Sequence, residues 1–194
     1  MKRERNKRLI KEEKLFNIPN SLTLLRVILT FFIFYLIIGK YSPLSIVVFF
    51  VIAALTDFLD GQIARRWRQQ TEFGRKFDMI ADRFLMIGTV FVLLISWSIE
   101  GILERKHILQ IFLITSREIV SLPFALLGVW MNKDIPKVRF IGKLTTFLQG
   151  FAFPIILLSI SSSFFDFSIY LSWLTGIIGI FSAITYIRDL NFFD

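Results

Sequence analysis

The chain contains no cysteine and a single histidine among its 194 residues. The absence of cysteine excludes a disulfide scaffold, a CxxC redox pair and a cysteine zinc site. One histidine excludes a metal site built from several histidines. Proline is scarce, at 5 residues, and no Pro/Gly-rich linker, internal repeat or low-complexity tract suggests a second domain. The sequence therefore predicts one domain, over residues 1–194.

Apolar residues are abundant instead. Hydrophobic residues make up 55% of the chain, 23 residues are Phe, and the mean hydropathy is +0.64. This composition excludes intrinsic disorder, which requires few apolar residues. Charged residues still account for 20%, with a formal net charge of +8. A nucleic-acid-binding protein would gather such charge on one solvated face, whereas here it is scattered between apolar runs about as long as a membrane is thick. The composition predicts a membrane protein that binds no nucleic acid.

The positions of the basic residues predict how the chain crosses the membrane. Apolar segments give six predicted spans: 22–38, 44–62, 80–98, 108–130, 141–160 and 168–187. Basic residues concentrate outside them, in 1–14, 65–76 and 133–143. By the positive-inside rule, both termini and the two basic loops are cytoplasmic. The predicted fold is all-α, a bundle of six transmembrane helices in the cell (inner) membrane after a basic interfacial segment over 1–16, for which a disordered tail is the alternative.

Several charges lie inside the predicted spans or at their ends. They are Arg26, Asp57, Asp60, Asp78, Asp82, Arg117 and Glu118. Each costs about 2.5 to 3.5 kcal/mol at the centre of a membrane helix. A chain that keeps so many such charges indicates a functional use for them.

The four aspartates occur in two short patterns. DxxDGxxAR begins at Asp57 and ends the second span, and GxxxDxxxD begins at Gly74 and opens the third. At about 100° per residue, each pattern places its carboxylates on one side of a helix. Two helices joined by a short connection are antiparallel neighbours, so the two stripes of carboxylates can face each other.

Converging carboxylates repel one another unless a cation lies between them. Mg²⁺ and Mn²⁺ prefer oxygen ligands and are commonly shared between protein carboxylates and substrate phosphates. The sequence therefore predicts a site for a hard divalent cation, although a solvated helix end would explain a lone DxxD. Gly61, Ala64 and Gly74 leave room for a flat group against the backbone, or alternatively allow close helix packing.

The uninterrupted pattern DxxDGxxARx8GxxxDxxxD, from Asp57 to Asp82, resembles the signature of the CDP-alcohol phosphatidyltransferases. These integral membrane enzymes join a CDP-linked lipid to an alcohol. The resemblance implies a homodimer with its active site at the cytoplasmic membrane interface. It also implies that the four aspartates bind one or two divalent metal ions and that Asp82 is the candidate general base. The CDP site that it implies consists of Asp57, Gly61, Ala64, Arg65 and Gly74.

Three further segments bear on the acceptor alcohol. NIPNSLTLLR, at 17–26, is similar to the IPNxLTxxR opening of the phosphatidylglycerophosphate synthase and cardiolipin synthase branches of the family. SRE at 116–118 and GKLTT at 142–146 are similar to segments of the phosphatidylglycerophosphate synthases. The resemblance implies transfer of a phosphatidyl group from CDP-diacylglycerol to glycerol 3-phosphate.

Cations in or near these segments are candidates for binding the acceptor's phosphate. They are Arg117, Arg139 and Lys143. An arginine suits this role as a bidentate clamp and a lysine as a point charge. The alternative is that Arg117 pairs with an acid such as Glu118 and that Lys143 marks a helix end.

Three departures from the family pattern weaken the assignment of the acceptor. The segment DPxADK reads DMIADR, with Met79 in place of proline and Arg83 in place of lysine, and the second lysine of GKxKT is Thr145. Phosphatidylglycerol and inositol phosphate are the alternative acceptors. A membrane prenyltransferase, which also uses DxxD motifs with Mg²⁺, is a more distant alternative because its two motifs lie on widely separated helices.

Four residues outside the signature carry simpler expectations. His107 is expected to be an interfacial residue near the outer end of a span. Trp97 is expected, with Trp130 and Trp173, to face lipid or anchor the chain at the interface.

Overall fold

A computed structural model describes residues 17–66, 71–131, 140–160 and 166–189, and its regular structure within these ranges is entirely helical. The helices are α1 (Ile18–Ile38), α2 (Pro43–Arg66), α3 (Glu72–Arg83), α4 (Thr89–Glu100), α5 (Arg105–Trp130), α6 (Phe140–Ser159) and α7 (Ser168–Asp189). A π-helical turn, Phe84–Gly88, joins α3 to α4. Helix α3, the π-helical turn and α4 together make one continuous membrane-spanning unit. The predicted basic interfacial segment over 1–16 lies outside the described residues.

The length and composition of these helices confirm the predicted all-α membrane bundle. Five stretches are long and apolar enough to cross a membrane: Ile18–Ile38, Lys76–Glu100, Arg105–Leu127, Phe140–Ser159 and Ser168–Asp189. A shorter apolar stretch, Pro43–Asp57, lies in α2. Helices suit this environment because each satisfies its own backbone hydrogen bonds where no water is present. The observed helices coincide with the six predicted spans.

Polar side chains determine where α1 and α3 begin. The Oδ1 atom of Asn17 accepts a hydrogen bond from the backbone N–H of Asn20 at 2.8 Å. In the same way, Oγ1 of Thr71 accepts one from the N–H of Gly74 at 2.9 Å. Each bond satisfies a backbone donor that the first turn of a helix leaves without a partner.

The helices pack around an apolar core in the middle of the bundle. The rings of Phe50 on α2 and Phe153 on α6 lie 4.5 Å apart between centroids, and both side chains are buried. Helix α5 packs along α7, and α1 packs along α2. A Cβ atom at Gly176 of α7 would lie 3.1 Å from the carbonyl oxygen of Leu113, so this glycine allows α5 and α7 to approach closely.

One end of the bundle collects the signature residues. Helices α1, α3 and α6 begin there, and α2, α5 and α7 end there. The described basic residues Arg66, Lys76 and Lys143 lie at the same end, which we call the basic end.

His107 and Trp97 lie inside the bundle. Their rings are 5.5 Å apart between centroids, and the two residues are 3% and 7% exposed. The expectation that Trp97 faces lipid was wrong, because the end of α4 packs this ring against the start of α5. Trp130 and Trp173 are exposed, as expected.

Candidate active site

A single arginine joins the two halves of the aspartate signature. Arg26 of α1 is completely buried. Its Nη1 donates a hydrogen bond to Oδ1 of Asp78 on α3 at 2.8 Å, and its Nη2 lies 3.2 Å from Oδ1 of Asp57 on α2. The end of α2 and the start of α3 therefore meet across one guanidinium group, whose planar fork suits two separate carboxylates.

The sequence contains a signal for this role, although it predicted only a functional use for Arg26 and no specific partner. A cation inside an apolar span requires a partner, and Arg26 closes the NIPNSLTLLR segment. The sequence alone does not choose among the four aspartates, because that choice depends on how α1 is rotated against α2 and α3.

Asp82 lies one turn after Asp78 on α3 and is half-buried. Its carboxylate interacts electrostatically with Arg117 of α5, with Arg26 and with Asp78. Arginines from two other helices thus approach the aspartates of α3. The carboxylates described at this end are therefore balanced in part by cations of the protein itself.

Arg117 is held mainly by the first turns of α6. Its Nη1 donates to Oγ1 of Thr146 at 2.6 Å and to the carbonyl oxygen of Gly142 at 3.3 Å. Its Nε lies 3.9 Å from Oε1 of Glu118, at the limit of an ion pair. The structure thus brings together the two segments, SRE and GKLTT, that were singled out for the acceptor.

Glu118 points into the bundle, where its side chain is 8% exposed. Its Oε2 accepts a hydrogen bond from Nε2 of Gln149 on α6 at 2.6 Å. The same nitrogen donates to the carbonyl oxygen of Ile114 at 2.7 Å. This buried pair is a second link between α5 and α6 beside Arg117.

The other predicted acceptor residues have different surroundings. Lys143 is exposed near the start of α6, and Arg139 lies outside the described residues. Thr145, which stands where the family pattern has lysine, is completely buried and donates from Oγ1 to the carbonyl oxygen of Ile141 at 2.8 Å. Its methyl group would lie 3.6 Å from a Cβ atom at Gly179, so it faces α7. The position at which this chain has Thr145 instead of the family's lysine therefore lies in the interface between α6 and α7.

Gly74 is the one predicted CDP-site glycine whose surroundings the structure describes. A Cβ atom there would collide with Oδ1 of Asn20 and lie 2.9 Å from Oγ1 of Thr71. The glycine therefore allows α3 to approach the first turn of α1. The remaining predicted residues of the α2 end lie in its last turns, where the helix is described but not their side-chain surroundings: Asp60, Gly61, Ala64 and Arg65.

The described side chains supply only part of the predicted metal site. Among them, no group of three or more acidic or histidine residues comes together to hold a metal ion, and Asp60 is not one of these described side chains. Asp57 and Asp78 are 35% and 41% exposed, so both carboxylates are accessible from outside the bundle. Carboxylate oxygens are the ligands that Mg²⁺ and Mn²⁺ prefer. The donor chemistry at the basic end therefore fits a hard divalent cation.

The chain belongs to the CDP-alcohol phosphatidyltransferase family. The model of that family matches residues 16–184, which include the whole aspartate signature and the bundle up to the last turn of α7. The resemblance inferred from the sequence is confirmed, and the protein is a transferase of this class.

Three relatives with 33% to 37% identity to this chain carry a more specific name, CDP-diacylglycerol–glycerol-3-phosphate 3-phosphatidyltransferase. The Haemophilus influenzae protein of that name is 33% identical over 184 residues, which cover 89% of this chain and 92% of the relative. The Rickettsia felis protein is 35% identical over 155 residues, covering 76% and 78%. The Sodalis glossinidius protein is 37% identical over 152 residues, covering 73% and 76%.

Proposed function

We propose that the protein transfers a phosphatidyl group from CDP-diacylglycerol to glycerol 3-phosphate, giving phosphatidylglycerophosphate and CMP, as a step of phospholipid biosynthesis. The name carried by relatives aligned over most of the chain supports this donor and acceptor. One structural observation carries the assignment of the site. Carboxylates from both halves of the signature lie within 3.2 Å of the Arg26 guanidinium.

The four aspartates of the signature hold one or two divalent ions in this proposal, either Mg²⁺ or Mn²⁺. Asp57 and Asp78 contribute exposed carboxylates, and Asp60 and Asp82 complete the set. When bound there, such ions would supply positive charge to the diphosphate and to the departing CMP. The nucleotide itself binds at the α2 end and the start of α3, through Asp57, Gly61, Ala64, Arg65 and Gly74.

In the transfer step, the acceptor's hydroxyl oxygen attacks the phosphorus on the lipid side of the diphosphate. A new P–O bond forms, the P–O bond to CMP breaks, and CMP leaves with the bonding electrons. Asp82 accepts the hydroxyl proton as general base. Its half-buried position near Arg117 supports this role, because a phosphate held by Arg117 brings the rest of the acceptor close to Asp82.

The acceptor's phosphate binds to Arg117, Lys143 and Arg139. Arg117 is the best supported of the three, because Thr146 and the carbonyl oxygen of Gly142 hold its guanidinium between α5 and α6. A charged, water-soluble acceptor requires cations at the end of the bundle that meets water.

We place the basic end on the cytoplasmic side of the inner membrane, with both termini. The distribution of basic residues supports this orientation. Two copies of the chain form a homodimer, as in the family to which it belongs.

Release of CMP by the purified protein tests the proposal. With CDP-diacylglycerol, Mg²⁺ and glycerol 3-phosphate, we expect CMP release that stops on chelation of the metal. Asp78→Asn and Asp82→Asn should each abolish it, whereas Asp166→Asn, an exposed aspartate beyond the far end of α6, should not. Activity in both site variants would contradict the metal site.

A panel of acceptor alcohols tests the identity of the acceptor separately from the transfer reaction itself. Glycerol 3-phosphate, phosphatidylglycerol and inositol phosphate are supplied in turn with the same donor. CMP release with either of the last two but not with glycerol 3-phosphate would overturn the acceptor and leave the transferase class in place.

A further inference from the structure

We propose that Arg26 is a built-in counter-ion that holds the two halves of the signature together while no metal ion is bound. It acts as a positioning residue for the carboxylates of Asp57 and Asp78. The inference rests on the proposed function, in which these carboxylates bind divalent ions.

Arg26 offsets the electrostatic repulsion between two carboxylates. Asp57 and Asp78 belong to different helices, and each places an Oδ1 atom within 3.2 Å of the same guanidinium. Without a cation between them, two carboxylates so close together would repel each other and separate α2 from α3. Arg26 supplies that cation from α1.

The arginine and the two carboxylates differ in how accessible they are from outside the bundle. The Arg26 side chain is 0% exposed, whereas those of Asp57 and Asp78 are 35% and 41% exposed. The arginine therefore lies beneath the carboxylates, and their accessible side faces outwards. A metal ion approaching from that side reaches carboxylates that the arginine already holds in place.

Arginine, unlike lysine, suits this contact. Nη1 contacts Asp78 and Nη2 contacts Asp57, so one planar group reaches carboxylates on two helices. A lysine ammonium is a single point charge on a flexible stem and does not reproduce this fork. Arg26→Lys should therefore keep part of the charge balance and lose much of the geometry.

A bound metal ion and Arg26 would each supply positive charge to the same carboxylates, those of Asp57 and Asp78. A ligand that binds only the folded state stabilises it by mass action. Because the metal replaces the missing charge, the folded state of a variant without Arg26 should depend more strongly on the metal.

Thermal unfolding of the purified full-length protein in detergent tests this inference. The wild type, Arg26→Lys and Arg26→Met are each measured with chelator and with saturating Mn²⁺. We expect Arg26→Met to lower the metal-free Tm by several degrees and to show a larger Mn²⁺-induced rise in Tm than the wild type. Arg26→Lys should lie between them. Lys106→Met, which removes an exposed cation paired with Glu104 at the start of α5, should match the wild type.

Equal Mn²⁺-induced rises in the wild type and Arg26→Met would overturn the inference. If Arg26→Met does not fold, the same comparison is made with Arg26→Lys and Arg26→Gln.

A double-mutant cycle without metal separates this inference from the proposed function. Asp57→Asn removes one of the two repelling charges, so it should recover part of the Tm lost in Arg26→Met. Strictly additive losses would overturn the counter-ion role. Binding of Mn²⁺ to the wild type, followed by the loss of its free-ion EPR signal, tests the metal site independently of this cycle.

Discussion

Gln149 on α6 donates a hydrogen bond from Nε2 to the buried Oε2 of Glu118 on α5, at 2.6 Å. Glu118 directly follows Arg117, the residue proposed to bind the acceptor's phosphate. The pair thus fixes the segment of α5 that faces the acids of α3. If a buried carboxylate loses such a donor, nothing offsets the free energy that was spent in removing it from water.

Gln149→Leu should lower the free energy of unfolding by about 1 to 3 kcal/mol, because Glu118 then lacks a buried donor. Denaturant unfolding in detergent measures the change. Glu118→Leu combined with Gln149→Leu should cost less than the sum of the single changes. Additive losses would show that the hydrogen bond contributes nothing to stability.

Arg117→Lys should raise the KM for glycerol 3-phosphate about tenfold, which corresponds to about 1.4 kcal/mol for a lost charge-assisted hydrogen bond. Thr146→Val should raise it less, because the guanidinium stays but loses its 2.6 Å partner. Initial rates of CMP release at varied acceptor concentration measure both. The KM for CDP-diacylglycerol serves as the internal control and should change little. An unchanged acceptor KM in both variants would remove Arg117 from the acceptor site.

Gly74→Ala should destabilise the protein, because its Cβ would collide with Asn20 and crowd Oγ1 of Thr71 at 2.9 Å. Gly150→Ala is the matched control, since a Cβ there meets nothing within 4 Å. It should leave Tm unchanged or raise it, because alanine favours a helix by up to about 1 kcal/mol over glycine. Asn20→Ala in the Gly74→Ala background should recover stability. Equal Tm values for the two glycine variants would contradict the close approach of α1 and α3.

Thr145→Lys restores the lysine of the family pattern at a position that is completely buried against α7. We expect a loss of Tm and no gain in affinity for the acceptor, because an ammonium group buried without a partner is costly. Thr145→Ser is the control and keeps the hydroxyl that bonds to Ile141. A stable Thr145→Lys protein with a lower acceptor KM would show that this face of α6 reaches the acceptor.

Much of the fold was predictable because hydrophobicity and helix length are local properties. Apolar runs of about a membrane's thickness predicted the helices, and Asn17 and Thr71 supply the caps with which α1 and α3 begin. Trp97 shows the limit of this reasoning. An aromatic residue near the end of a span was expected to face lipid, and whether it packs against His107 depends on a neighbouring helix.

The sequence by itself determined the membrane bundle, the family and the spacing that places Asp78 and Asp82 on one stripe of α3. These follow from periodicity and from an uninterrupted motif, both of which are present in the one-dimensional order of residues. Only the tertiary structure decided that Arg26 lies between Asp57 and Asp78, that Arg117 bonds to Thr146 and that Thr145 faces α7. Each of these contacts joins two different helices, and the rotation of one helix against another is set by packing along their whole length.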